Sequence, residues 1–95
     1  MKISVMGIAW YRREDYEKLK KLCADGDTFA PRYDDWLKSA ENLVNKLRSE
    51  GRAYRKIYID PDTFQAWCAQ RGIEINSQAR TRFSAEAAYG DKEAQ

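Results

Sequence analysis

Two stretches gather side chains able to hold a charged partner: Trp10-Tyr11-Arg12-Arg13, and the set Arg52, Tyr54, Arg55, Lys56 and Tyr58. The first falls where a strand gives way to a helix. Guanidinium groups beside the free amides of a helix start can bind a phosphate or a carboxylate. In the second, strand alternation puts Tyr54, Lys56 and Tyr58 on one face. Rings interleaved with positive charge make the kind of platform that single-stranded nucleic acid uses. Each stretch also has a plainer explanation. Trp10 and Tyr11 can fill core on opposite faces of a strand, with Arg12 and Arg13 paired to Glu14, Asp15 or Glu17. The basic residues of the second can keep a solvated strand edge from aggregating.

Catalytic chemistry finds little support. The chain has no histidine, which removes the commonest general base and the partner of every Ser-His or Cys-His nucleophile. Two cysteines, Cys23 and Cys68, are too few for a four-ligand zinc site without histidine. Both fall on apolar helical faces and read as buried thiols, with a bond between them left open. Asp25-Gly26-Asp27 hints at calcium, but Phe29 and Trp36 stand where a twelve-residue loop needs oxygen ligands. Asp60 and Asp62 are explained by helix capping and the helix dipole. No glycine-rich phosphate loop is present. The expectation is a protein without catalytic activity, metal or cofactor.

Composition sets the scale. Ninety-five residues with 43% hydrophobic and 13% aromatic content are enough for one compact domain, expected over 1–90 with a frayed tail at 91–95. The net charge of +2 is a weak pointer to nucleic acid. It is unevenly spread: residues 1–22 carry six basic and three acidic side chains, 23–42 two and five, and 43–58 five and one. The apolar run Ile3 to Trp10 is far short of the roughly 20 residues that span a bilayer, and no small-residue cleavage site follows it. A strand is the better reading, and the protein is expected to be cytoplasmic, with no membrane contact.

The elements that would carry these residues follow from periodicity. A strand over 3–11 puts Ile3, Val5, Ala9 and Tyr11 on one face and Met6, Ile8 and Trp10 on the other, with Gly7 as a weak point or close approach. A helix over 14–24 carries Tyr16, Leu19, Leu22 and Cys23 on one stripe. Residues 25–32 form a connecting loop. A long helix over 33–50 repeats Tyr33, Trp36, Leu37, Ala40, Leu43, Val44 and Leu47, and Gly51 ends it. A second strand covers 53–59. Asp60 is then an N-cap, Pro61 the first helical residue, and Ile59 with Phe64 a hydrophobic staple. That helix buries Phe64, Trp67 and Cys68 and stops at Gly72. A last helix, 77–89, starts after an Asn76 or Ser77 cap, repeats Ala79, Phe83 and Ala87, and closes at Gly90. The order β-α-α-β-α-α, with short connections, predicts an α+β fold with a two-stranded antiparallel sheet packed by helices.

The string Gly7-Ile8-Ala9-Trp10-Tyr11-Arg12-Arg13, with Asp60-Pro61-Asp62-Thr63-Phe64-Gln65-Ala66-Trp67-Cys68, resembles a group of small uncharacterised bacterial proteins. That group shares an Ile-Ala-Trp-Tyr-Arg-Arg start and an Asp-Pro-Asp-x-Phe-x-Ala-Trp-Cys helix. The resemblance runs over nearly the whole chain. It implies a shared fold and nothing catalytic.

The leading expectation is therefore a small interaction or accessory module. It would bind an unknown protein, or itself as a homodimer, through a strand edge or helix face. The alternative is weak nucleic-acid binding through Arg12, Arg13, Arg48, Arg52, Arg55 and Lys56. What separates the two is whether those six side chains share one surface.

Overall fold

Asp60 behaves as its position predicts. Its carboxylate accepts from the Thr63 amide at 2.9 Å, Pro61 opens the helix, and Gly72 ends it in the left-handed region at φ 63°. This helix, α3, runs Pro61–Arg71. In this computed structural model, which describes residues 5–93, it is one of six regular elements of strand or α-helix. Before it come β1 (Met6–Trp10), α1 (Arg13–Leu22), a 3-10 turn at Gly26–Thr28, α2 (Tyr33–Ser49) and β2 (Tyr54–Tyr58). After it comes α4 (Ser77–Glu93), capped by Asn76, whose side-chain oxygen accepts from the Ala79 amide at 3.0 Å.

The expected α+β class and element order hold, but the sheet is parallel. Met6 aligns with Tyr54, Ile8 with Lys56 and Trp10 with Tyr58. An antiparallel pair follows from counting α1 and α2 as one pass each, with a mere link between them. The link is itself a pass. Tyr16 Oη donates to the Ala30 carbonyl at 2.6 Å, and Lys20 Nζ to that of Pro31 at 3.4 Å, so residues 29–32 return alongside α1. The chain thus comes back to where β1 ended. There Tyr33 Oη donates to the Tyr11 carbonyl at 2.8 Å and Arg13 meets Asp34 at 2.6 Å. From that point α2, about 25 Å long at 1.5 Å per residue, descends to the start of β1, where the Met6 amide donates to the Ala53 carbonyl at 3.1 Å. β2 must then rise beside β1.

A parallel sheet is normally covered on both faces, and here alternation assigns the faces as expected. Ile8 and Trp10 pack with Ala40, Val44 and Leu47 of α2. Tyr11 and Ile59 join Tyr16, Leu19, Cys23, Phe64, Cys68 and Ala79, contributed by the elements on the other face. Gly7 is the close approach that its place in the strand suggested: a Cβ there would lie 2.2 Å from the Ser84 carbonyl oxygen of α4.

Other boundaries shift. α4 continues through Gly90 to Glu93, so Gly90 does not close it. Ile3 and residues 94 and 95 lie outside the described residues. Trp67 is half-buried whereas Phe64 is fully buried, and Leu43, expected in the stripe of α2, is 42% exposed.

Two substitutions probe this architecture by chemical denaturation. Asp60→Ala is expected to cost about 1 kcal/mol, the usual value of an N-cap. Gly7→Ala is expected to cost about 1–3 kcal/mol, because backbone rather than a flexible side chain meets the new methyl group. A neutral Gly7→Ala would show that α4 does not press on β1.

Candidate binding surface

Trp10 and Tyr11, proposed from sequence as part of a binding surface, are core. They are 5% and 6% exposed, on opposite faces of the sheet. Trp10 meets Trp36 edge-on at 5.2 Å, and the Lys56 ammonium lies over its ring at 4.3 Å. Tyr11 stacks on Phe29 at 5.4 Å and leans on Trp36 at 4.7 Å. Burial pushes the Tyr11 phenol up to about 12, with the nearby Arg80 charge opposing the shift. Both rings position the surface without lining it.

The arginines that follow are partly engaged. Arg12 lies over the Tyr58 ring at 4.5 Å and reaches Asp15 only at 4.0 Å. Arg13 lies over Tyr33 at 4.6 Å while bonded to Asp34. Its charge is therefore met on α2 rather than by the acidic residues of α1.

The ladder bonds show what β2 presents. Met6 donates to Ala53, and Ile59 donates to the Trp10 carbonyl at 3.0 Å. In a parallel pair, alternate residues direct both backbone groups to the neighbouring strand. Ala53, Arg55, Ile57 and Ile59 therefore face β1, and Tyr54, Lys56 and Tyr58 turn their N–H and C=O outward. Among the described residues the sheet has two strands, so this outer edge has no described strand beside it. Tyr58 is 46% exposed there. On the α2 side of the edge, Arg48, Tyr54 and Lys56, with Glu41, Val44 and Asn45, line an open groove of about 410 Å³.

The six basic residues do not form one surface. Arg48 and Lys56 share the groove, and Arg12 sits beyond it on Tyr58. Arg52, 3.9 Å from Glu50, lines a separate groove beside Met6, Gly7, Thr81 and Ala85. Arg55 aligns with Gly7, on the sheet face opposite Lys56. Asp60 and Asp62 stay apart in role, one on the Thr63 amide and the other with Lys18 at 3.0 Å.

One pair escapes sequence reasoning. Arg80 of α4 is 9% exposed and forks onto both oxygens of Asp25, at 2.9 Å each, with its guanidinium 4.8 Å over Phe29. The bonds from Arg80 hold the Asp25 carboxyl below its ordinary range, and they raise the affinity of Arg80 for its proton against burial. A signal existed: Arg80, Ser84 and Ala88 repeat every four residues and are the buried line of α4. Cys23 lies in the same neighbourhood. It and Cys68 are free and buried, and burial pushes both thiols up. Among the described residues no cluster of three or more His, Cys, Asp or Glu is placed to hold a metal ion, and no helix is long and apolar enough to cross a membrane.

A family model described as a domain of unknown function (DUF8829) matches residues 4–94. No curated protein and no solved structure matches the chain.

Two predictions follow from the buried groups. Asp25→Ala strands the Arg80 charge and is expected to cost roughly 2–4 kcal/mol in chemical denaturation, toward the lower part of the range for breaking a buried pair because Asp25 keeps some solvent contact. Because Asp25 titrates lower when folded, its contribution is present above the unfolded pKa and is lost as pH falls through the folded one. Tyr11 works in the opposite sense. Its raised pKa favours the folded state below about 10 and withdraws that stability as pH climbs toward about 12. Tyr16 and Tyr33 also shift upward by burial. Melting temperatures between pH 9 and about 12 are expected to fall less steeply for Tyr11→Phe than for the wild type.

Proposed function

The chain belongs to the DUF8829 family, and from its geometry we propose that it is a cytoplasmic interaction module without catalytic activity, which takes up a partner protein along the outer edge of β2. The observation that carries this is the outward row of backbone groups on Tyr54, Lys56 and Tyr58, in a sheet that has two strands among the described residues. A parallel pair is the weaker kind, and two strands are marginal by themselves. An added strand extends such a sheet through main-chain hydrogen bonds, with alternate side chains giving specificity. The free, buried cysteines suit a reducing compartment. The occupation of Asp60 and Asp62 by a cap and an ion pair supports a non-catalytic role.

Nucleic-acid binding through the same residues is the weaker reading. The Trp10 ring already carries Lys56, and the Tyr58 ring carries Arg12. The basic residues are divided between separate grooves and opposite sheet faces. A net charge of +2 releases few counterions.

The test is site-specific photocrosslinking in cells, with a photoreactive phenylalanine analogue at Tyr58 and, as control, at Leu43 on the outside of α2. A discrete, nuclease-resistant adduct is expected from position 58 only. Lys56→Pro removes an outward N–H while leaving the β1 ladder whole, as proline on an edge strand allows. It should abolish the adduct with the circular dichroism spectrum unchanged. Adducts from Leu43 alone, or a Tyr58 adduct that survives Lys56→Pro, would overturn docking along the edge.

A further inference from the structure

Resting on that reading of the β2 edge, we propose that its occupant is an extended segment with carboxylates at alternate positions and an apolar residue between them. A strand laid beside β2 places every second side chain on the α2 face, opposite Lys56 and Tyr58. That face holds the Lys56 ammonium and, from α2, the exposed Arg48, with Arg12 above the Tyr58 ring. Glu41 also lines the groove, one carboxylate against its two cations, and Arg12 beyond it has Asp15 only at 4.0 Å. Asp or Glu at successive positions on this face would meet Lys56 with Arg48, and then Arg12. The intervening side chain turns to the other face, opposite Ile57, where an apolar residue fits.

A second copy of the chain fits this edge less well, and the register says why. Two copies related by a two-fold axis pair β2 antiparallel, and the outward-facing residues must meet one another. Centring the axis on Lys56 sets two ammonium groups directly opposite. Like charges directly opposite are destabilising. Centring on Ile57 brings Lys56 to the Tyr58 ring of the other copy, where Arg12 already sits 4.5 Å from the ring centre. Both registers crowd cations. An acidic strand relieves them.

The experiment is a fluorescence anisotropy titration of the full chain with two capped, labelled peptides, one alternating Glu and Val and one alternating Lys and Val. An oligo-dT of similar length and sedimentation velocity of the protein alone complete it. The Glu-Val peptide is expected to bind at least tenfold more tightly than Lys-Val, and more weakly as salt screens the contacts. The exposed double variant Arg48→Glu/Lys56→Glu should reverse the preference, and Lys56→Gln should reduce it without reversal, both with the circular dichroism spectrum kept. Equal affinity for the two peptides overturns the acidic assignment. So does tighter binding of oligo-dT, or a dimer that the Glu-Val peptide cannot dissociate. If the Tyr58 adduct persists in cells, such a result removes only the chemistry of the partner. Loss of both removes the edge reading as well.

Discussion

The bidentate bond between Arg80 and Asp25 ties together segments far apart in sequence, and the sheet depends on where it holds them. Asp25 sits in the link between α1 and α2, and Arg80 sits on α4 against β1. The pair, roofed by Phe29 and beside Tyr11, pins the link at one place. From there the chain can only return along α1 and launch α2 beside the end of β1. A buried ion pair is weak evidence of net stability, since desolvating both charges offsets much of their attraction. Its effect here is on specificity. A displaced link would let α2 start elsewhere, and the parallel register of β2 would lose its cause.

Two further contacts make the same arrangement rigid. The Ser84 carbonyl occupies the space where any side chain on Gly7 would stand, so α4 lies against the β1 backbone itself. Tyr33 fastens the start of α2 to the Tyr11 carbonyl. With α2 covering one face and α4 pressed on the other, β1 is the more buried strand. β2 has its ladder on one side and, among the described residues, no strand on the other. The open edge is a consequence of the core and not a separate feature.

Much of this was legible in the sequence where the information is local. The Asp60-Pro61 start and Gly72 stop of α3, the stripes of α1 and α2, and the alternation of β1 depend on residues within a turn or two of each other. Strand direction was not legible, because it turns on residues 29–32 behaving as a return pass, and no periodicity marks an irregular segment. Arg80 was passed over for a related reason. Reading α4 by apolar residues selects Ala79, Phe83 and Ala87, while the most buried line is Arg80, Ser84 and Ala88, two of them polar and each satisfied locally or across the link. The candidate surface divided in the same way. Tyr54, Lys56 and Tyr58 share a face, as alternation requires. Trp10 and Tyr11 were drawn to the surface only by their neighbours in sequence.

The cation–ring contacts explain why this edge resembles a nucleic-acid platform while being poorly suited to act as one. A cation over an exposed ring contributes about 0.5–1 kcal/mol, and base stacking on an aromatic about 1–3 kcal/mol. At Tyr58 those magnitudes favour a base over Arg12, whose guanidinium Asp15 holds only weakly at 4.0 Å. At Trp10 the competition does not arise, since the ring is buried and Lys56 covers its face. One exposed ring, Tyr58, beside the half-buried Tyr54 is too little to set a register on a single strand. The backbone groups of Tyr54, Lys56 and Tyr58 do set one, at the spacing of a β-strand, and a polypeptide matches that spacing where a nucleotide repeat does not.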